Sequence, residues 1–266
     1  MKKIAIIILS TLLIFNYGCT LEEDPPFLDN ESVFSNADSA VKALDGLYSS
    51  MTQYFYYSSS YHTLFTVSSG MCFTKRGGNS NTSIYNLSVG SLNVGQGSVD
   101  MGRVWKGAYS IIGRANDAIA SIVPTENPID TDETIINDVL GQSYFVRAHT
   151  YFNLVRAWKE VPLRLTPTTS ETINLAVSSE QEIYDQIISD CNSALTYMSN
   201  SLPDHYPKSY AVNMLLAKVY MQLAGNDSSS EHWQMAYDSA IQVYGNYSLV
   251  DDYASLFISP DSDGSS

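Results

Sequence analysis

The sequence predicts a mainly α-helical domain made of paired amphipathic helices, with long irregular insertions between them. Three observations lead there. Six stretches repeat apolar residues at intervals of three and four. No stretch shows sustained two-residue alternation bounded by hairpin turns. A pair of marker residues also returns three times in the same order along the chain. At 266 residues there is room for one large domain or two small ones, and a hydrophobic share of 44% is too high for a disordered chain.

The first helix starts at a Ser35/Asn36 cap, with Asp38 placed for a capping-box-like contact, and carries Ala40, Val41, Leu44, Leu47, Tyr48 and Met51 on one stripe. The second carries Trp105, Ala108, Tyr109, Ile112, Ala115, Ile119 and Ile122. It stops before Pro124, because proline lacks the backbone N–H that would continue the ladder. A third runs through Ile136, Leu140, Tyr144, Ala148, Tyr151, Val155 and Trp158 and ends before Pro162. Ile183, Tyr184, Ile187, Cys191, Ala194, Leu195 and Met198 mark the fourth; Val212, Leu215, Leu216, Val219, Tyr220 and Leu223 mark the fifth. Trp233, Ala236, Tyr237, Ala240 and Tyr244 give the sixth.

These helices read as pairs. Leu-x-x-x-Tyr occurs as Leu44/Tyr48, Leu140/Tyr144 and Leu216/Tyr220, each time in the first helix of a pair. The second helix carries Ala118-Ile119, Ala194-Leu195 or Ala240-Ile241. Leu140-Gly141-x-x-Tyr144 matches the first half of the tetratricopeptide signature, in which a small residue lets two helices approach and a tyrosine fills the groove between them. A right-handed stack of tetratricopeptide-like pairs is expected, with insertions that break the usual period of about 34 residues. Three unrelated amphipathic pairs in a generic α domain is the alternative.

One insertion stands out. From Gln53 to Arg103 the chain takes about 50 residues to reach the next helix, and a loop beyond about 15 residues in a compact domain is usually functional or disordered. This one contains Tyr54-Phe55-Tyr56-Tyr57, Tyr61, Phe73 and Tyr85, too many rings for a floppy linker, and then Gly90, Gly95, Gly97 and Gly102. It reads as an ordered excursion that lies against the helices and builds part of a concave surface.

Residues 1–18 read as a signal peptide: Lys2-Lys3, then an apolar run from Ile4 to Phe15 of about 12 residues, where about 20 are needed to span a bilayer. Gly18-Cys19 resembles the end of a bacterial lipobox, with Cys19 as the lipidated residue, although Asn16 and Tyr17 depart from the preferred pattern. An ordinary secretory peptide with an incidental cysteine is the alternative. Several acyl chains give stable anchoring where one is marginal. The acidic run Glu22-Glu23-Asp24 behind Cys19 looks like the surface-export signal of Bacteroidetes lipoproteins, or serves as a solvated tether through residues 19–35. A helical domain then fills 36–258, with the aromatic insertion at 53–103, before a loop at 259–266.

The formal charge is −14, and all 28 acidic residues follow position 19, whereas Lys2 and Lys3 lie in the leader. Processing therefore leaves a still more acidic surface, which repels phosphate backbones and excludes nucleic acid as a plausible partner. Cys72 and Cys191 are too few for a disulfide framework, and Cys191 falls on an apolar helical face as a small buried hydrophobe. The sequence contains no His-Glu-x-x-His, Gly-x-Ser-x-Gly or Gly-x-x-x-x-Gly-Lys pattern, and its four histidines are scattered. No metal, cofactor or catalytic residue is assigned, and binding without chemistry is the expected activity. His149, among core positions of the third helix, reads as structural.

Taken in order, several fragments resemble the SusD/RagB family of nutrient-binding outer-membrane lipoproteins. They are Leu21 to Pro25 with Phe34 and Ala40 to Tyr48; Trp105-x-x-x-Tyr109-x-x-Ile112 with Ala115-Asn116; and Gly141 with Phe145-Val146-Arg147-Ala148, running through Tyr151-Phe152 to Val161-Pro162-Leu163. Ile183-Tyr184-x-x-Ile187-x-x-Asp190, Ala211 to Tyr220, and Tyr247-x-Leu249 with Tyr253-x-x-Leu256-Phe257 complete the set. Gln142-Ser143 stands where the family commonly has Glu-Ala, and Lys159-Glu160 where it usually has Gly-Asp; both positions look structural. Members usually run to about twice this length, so the sequence reads as a fragment or a truncated gene, with an uncovered apolar face and marginal solubility expected.

The resemblance implies a SusD-like fold and a protein outside the cell, anchored in the outer membrane, that captures oligosaccharide or peptide. It also implies a SusC-like TonB-dependent transporter as partner, with the ligand on the face the repeats leave free. No ligand motif carries over residue by residue. Tyr54, Tyr56, Tyr57, Tyr61, Lys75, Arg76 and Asn79 are candidates on composition: aromatic faces stack on sugar rings, and Asn, Arg or Lys bind hydroxyls. Core or loop packing is the alternative for each. A tetratricopeptide-like envelope scaffold and a surface glycan hydrolase remain the other functional readings.

Overall fold

Asn36 opens the first helix, α1 (Ala37–Met51), by accepting a 2.9 Å hydrogen bond from the Ser39 backbone N–H, one of the donors a helix start leaves unsatisfied. Asp38 does not form the capping-box contact expected of it. It lies one residue short of the position that reaches back to the cap, and pairs with Lys42 one turn on. The computed structural model describes residues 33–53, 56–69, 99–123 and 131–257. The expected signal peptide, Cys19, most of the tether, Cys72 and the loop at 259–266 lie outside them.

Beyond α1 come α2 (Ser59–Ser68), α3 (Val99–Ser121), α4 (Thr131–Trp158), α5 (Glu180–Tyr197), α6 (Ser209–Ala224), α7 (His232–Ile241) and a 3-10 turn at Tyr253–Phe257. Two differences from the sequence reading concern the insertion. It contains a helix, α2, and α3 begins at Val99, inside the range read as irregular. The last helix is also shorter than its stripe implies. α7 ends at Ile241, leaving Tyr244 beyond it and 83% exposed.

The packing is that of stacked pairs. α1 packs on α3, α4 on α5, and α6 on α7. Between pairs, α3 and α5 each lie against the first helix of the next pair, and α1, α4 and α6 succeed one another in the inner row. α4 therefore meets neighbours on most of its circumference, and Val139, Leu140, Val146, Ala148, Tyr151, Leu154 and Val155 are all buried along it. Gly141 marks its closest approach to α5. A Cβ at this position would stand 2.6 Å from Met198 Cγ and 3.1 Å from the Ala194 carbonyl oxygen, where no side chain fits without displacement. Tyr144, one turn on, stacks on Tyr197 of α5 with ring centroids 6.2 Å apart. The small-residue and tyrosine roles read from Leu140-Gly141-x-x-Tyr144 hold.

A polar junction locks three of these helices. Arg147 of α4 makes a bidentate pair with Asp190 of α5, at 2.8 and 2.7 Å, and both side chains are almost wholly buried. Its remaining nitrogen donates to Asn116 Oδ1 of α3 at 2.7 Å and to the Leu165 carbonyl at 3.1 Å. Asn116 in turn donates to the Arg164 and Thr166 carbonyls. Tyr109 donates to the Pro162 carbonyl, and the Tyr151 hydroxyl bonds both the N–H and the C=O of Arg164. The extended segment after α4 is thus strapped across α3 and α4, and Val161 also bridges to Ser178 just before the Ser179/Glu182 capping box of α5.

Both departures from the family pattern have structural roles. Gln142 accepts from the Tyr48 hydroxyl of α1 and donates to the Pro207 carbonyl, which ties the first pair to the loop before α6. Lys159 has φ of 63°, a left-handed conformation that suits glycine and costs other residues roughly 1–2 kcal/mol. Asp138 of α4, also buried, accepts from the backbone N–H groups of Ser199, Ser201 and Leu202 and so fixes the turn that leaves α5. Cys191 is fully buried, as its apolar face predicts, and burial pushes its thiol pKa up.

The third pair is covered on one side only. Met221, Trp233, Tyr237 and Ile241, with Tyr247, Leu249 and Tyr253 after them, are exposed, whereas of the residues of α7 only Ala236 is buried. Large exposed apolar residues are therefore concentrated at this end of the described residues.

Candidate functional site

The chain folds back at the end of α1 through a turn in which Tyr57 N–H donates to the Met51 carbonyl at 3.1 Å and Tyr56 N–H to that of Gln53 at 3.0 Å. α2 then runs along α3, tied to its first turn by Ser60 Oγ donating to Asp100 Oδ1 at 2.7 Å. This return path lays Tyr56, Tyr57 and Tyr61 against α4. The three rings pack on one another, Tyr56 edge-on to Tyr57 at 4.8 Å and Tyr57 tilted against Tyr61 at 4.9 Å.

Asn153 of α4 holds the cluster. Its Nδ2 donates to the Tyr56 hydroxyl at 3.1 Å and to that of Tyr57 at 2.7 Å, while Oδ1 accepts from Tyr61 at 3.3 Å. The Tyr57 hydroxyl also lies 3.2 Å from His149 Nε2, the ring nitrogen opposite Nδ1. That Nδ1 is buried without a hydrogen-bond partner. The imidazole stacks on Tyr57 at 5.7 Å.

A cleft of about 360 Å³ opens beside this cluster, between α2, α4 and α6. Tyr57, Tyr61, Phe145, His149, Phe152, Asn153 and Arg156 form one side, and Ala211, Met214, Leu215 and Lys218 the other. Arg156 lies over the Phe152 ring, 5.0 Å from its centroid. Burial lowers the His149 pKa to about 4, helped by the positive charges of Lys218 and Arg156, so the ring is neutral at pH 7. Burial raises the Tyr57 hydroxyl to about 12, with neighbouring Tyr61 adding to the shift, so it stays a donor. Aromatic faces, neutral hydrogen-bonding groups and two cations together suit a polar, ring-containing ligand.

Of the residues singled out in the sequence, Tyr57 and Tyr61 line this cleft. Tyr56 does not. It is 1% exposed beneath Tyr57 and Tyr61 and supports them from the core, which removes it from the ligand candidates. Tyr54, Lys75, Arg76 and Asn79 lie outside the described residues. His149, read as structural, does bind the cluster together but also lines the cleft. Asn153, Arg156 and Lys218 had been assigned to scaffold helices. The signal that could have marked them is a cation on an otherwise apolar face: Arg156 one turn after Phe152, and Lys218 one turn after Met214 and two after Ala211. Among the described residues no group of His, Cys, Asp and Glu could hold a metal ion, and no helix is long and apolar enough to cross a membrane.

A family model described as SusD-like, starch-binding associating with outer membrane, matches residues 26–221. The chain belongs to the SusD-like family. SusD-like protein P2 of Formosa agariphila is 29% identical over 97% of this chain and 50% of its own length. The SusD-like fold is equally clear in solved structures. A laminarin-binding SusD-like protein superposes with a TM-score of 0.66 at 23% identity, covering 83% of this chain and 48% of that one. A crystal structure with xylogluco-oligosaccharide gives 0.65 at 20% identity, covering 82% and 43%. The chain spans about half the length of the curated relatives it matches.

Proposed function

We propose that this SusD-like chain is a glycan-binding lipoprotein of the outer cell surface, acylated at Cys19, that delivers oligosaccharide to a SusC-like TonB-dependent transporter and does not turn it over. The observation that carries this reading is the match across 26–221 to a family described as starch-binding and associated with the outer membrane. The cleft adds a physical basis. Tyr57 and Tyr61 offer ring surface, and Arg156 and Lys218 offer donors at its rim. The laminarin-binding relative of the same fold points to the same ligand class. Tyr54, Lys75, Arg76 and Asn79 are further candidate contacts on the composition of the aromatic-rich insertion.

The test is gentle detergent extraction of the chain from labelled cells. Palmitate in the protein that is lost in Cys19→Ala, and co-purification with a large β-barrel transporter, are the expected results. A chain without label, protected from protease on intact cells and unaccompanied by a barrel, would favour a periplasmic scaffold. Release of new reducing ends from a glycan would favour a hydrolase.

A further inference from the structure

The chain has 28 acidic residues against 14 basic ones, yet among the described residues no carboxylate lines the cleft between α2, α4 and α6. Arg156 and Lys218, from different helices, both face it. Lys42, Arg103, Arg147 and Lys208 each pair with an aspartate; Arg156 and Lys218, like Lys106, Arg114, Lys159 and Arg164, have no ion-pair partner among the described residues, but these two alone of the six line the cleft. Their joint field reaches the cleft wall, since both contribute to keeping His149 uncharged. Two cations without a carboxylate partner among the described residues, converging on a ring-lined cavity, make a local positive site on a chain of net negative charge.

The geometry points to an anion-selecting subsite: we infer that Arg156 and Lys218 hold the carboxylate or sulfate of an acidic sugar unit, while Tyr57 and Tyr61 flank its ring. This rests on the glycan-binding reading and narrows its substrate class. Arg156 is suited to bidentate contact with an oxyanion, and Lys218 supplies a mobile point charge. The cavity lies at the small end of the ~300–1,000 Å³ range of small-molecule sites, enough for a short stretch of saccharide. Selectivity follows from the cations alone, because a neutral sugar gains the ring contacts but not the charge contacts.

The test is calorimetric titration of the detergent-solubilised full chain at low salt with three probes: an oligogalacturonate, a sulfated oligosaccharide and a neutral laminari-oligosaccharide. At least one acidic probe should bind tenfold or more tightly than the neutral one, and added salt should erode the difference. Arg156→Gln with Lys218→Gln should abolish the preference while thermal unfolding stays within a few degrees of the parent. Equal or tighter neutral binding, or a preference that survives both substitutions, overturns the inference but leaves glycan binding standing. Binding of none of the three overturns both.

Discussion

Arg147 and Asp190, 43 residues apart in sequence, form a bidentate ion pair that is almost fully shielded from water where α3, α4 and α5 meet. A pair of this kind costs desolvation on both sides, and its net contribution can be small. Removing one member is a different matter, because it strands the other charge. Asp190→Ala should lower unfolding free energy by about 3–5 kcal/mol in urea melts, a large part of the ~5–15 kcal/mol typical of a domain. Arg147→Met combined with Asp190→Leu should lose much less.

Gly141 has no room for a methyl group. Gly141→Ala should force α4 and α5 apart against Met198 and the Ala194 carbonyl, with a cost of about 1–3 kcal/mol. If the better helix propensity of alanine dominated instead, the melt would shift the other way.

Lys159 tests the opposite sign. Its backbone is left-handed, a conformation that suits glycine, and its side chain is exposed. Lys159→Gly should stabilise the chain by up to about 1 kcal/mol, the relief of strain being partly offset by the entropy of a freer unfolded chain.

These residues show how far the sequence could be read. The helices with strong stripes were legible because burial on one face imposes a period, and the Gly141/Tyr144 marker carried its own packing mechanism. α2 was not, since Ser59–Ser68 mixes hydroxyl and aromatic residues with no charged face to set a period against. The tyrosine half of the cleft was legible as an aromatic-rich insertion. Its other half was hidden in helices that lie some 90 residues or more away, as the contact of Asn153 with Tyr57 illustrates. Tyr56 looked no different from Tyr57 in sequence, and only the fold decides which ring is covered.

His149 gives the pH dependence. Its pKa falls from 6.5 to about 4 on folding, with Lys218, Arg156 and the Tyr57 hydroxyl as the polar groups around it. The unfolded chain therefore binds more protons between these values. Stability from this group is complete above about 6.5 and is lost as pH falls towards 4, by up to about 3 kcal/mol. Histidine-resolved NMR should place one imidazole near 4, and His149→Gln should flatten that part of the stability profile.

The central claim is that a saccharide sits in the cleft between α2, α4 and α6. Hydroxyl-radical footprinting of the full chain, with and without bound oligosaccharide, tests it directly because the cleft wall is rich in oxidisable side chains. Protection should concentrate on Tyr57, Tyr61, Phe145, Phe152 and Met214, while Trp233, Tyr237 and Tyr247 on the open end of the stack keep their reactivity. Protection of the second group with no change in the first would contradict the account.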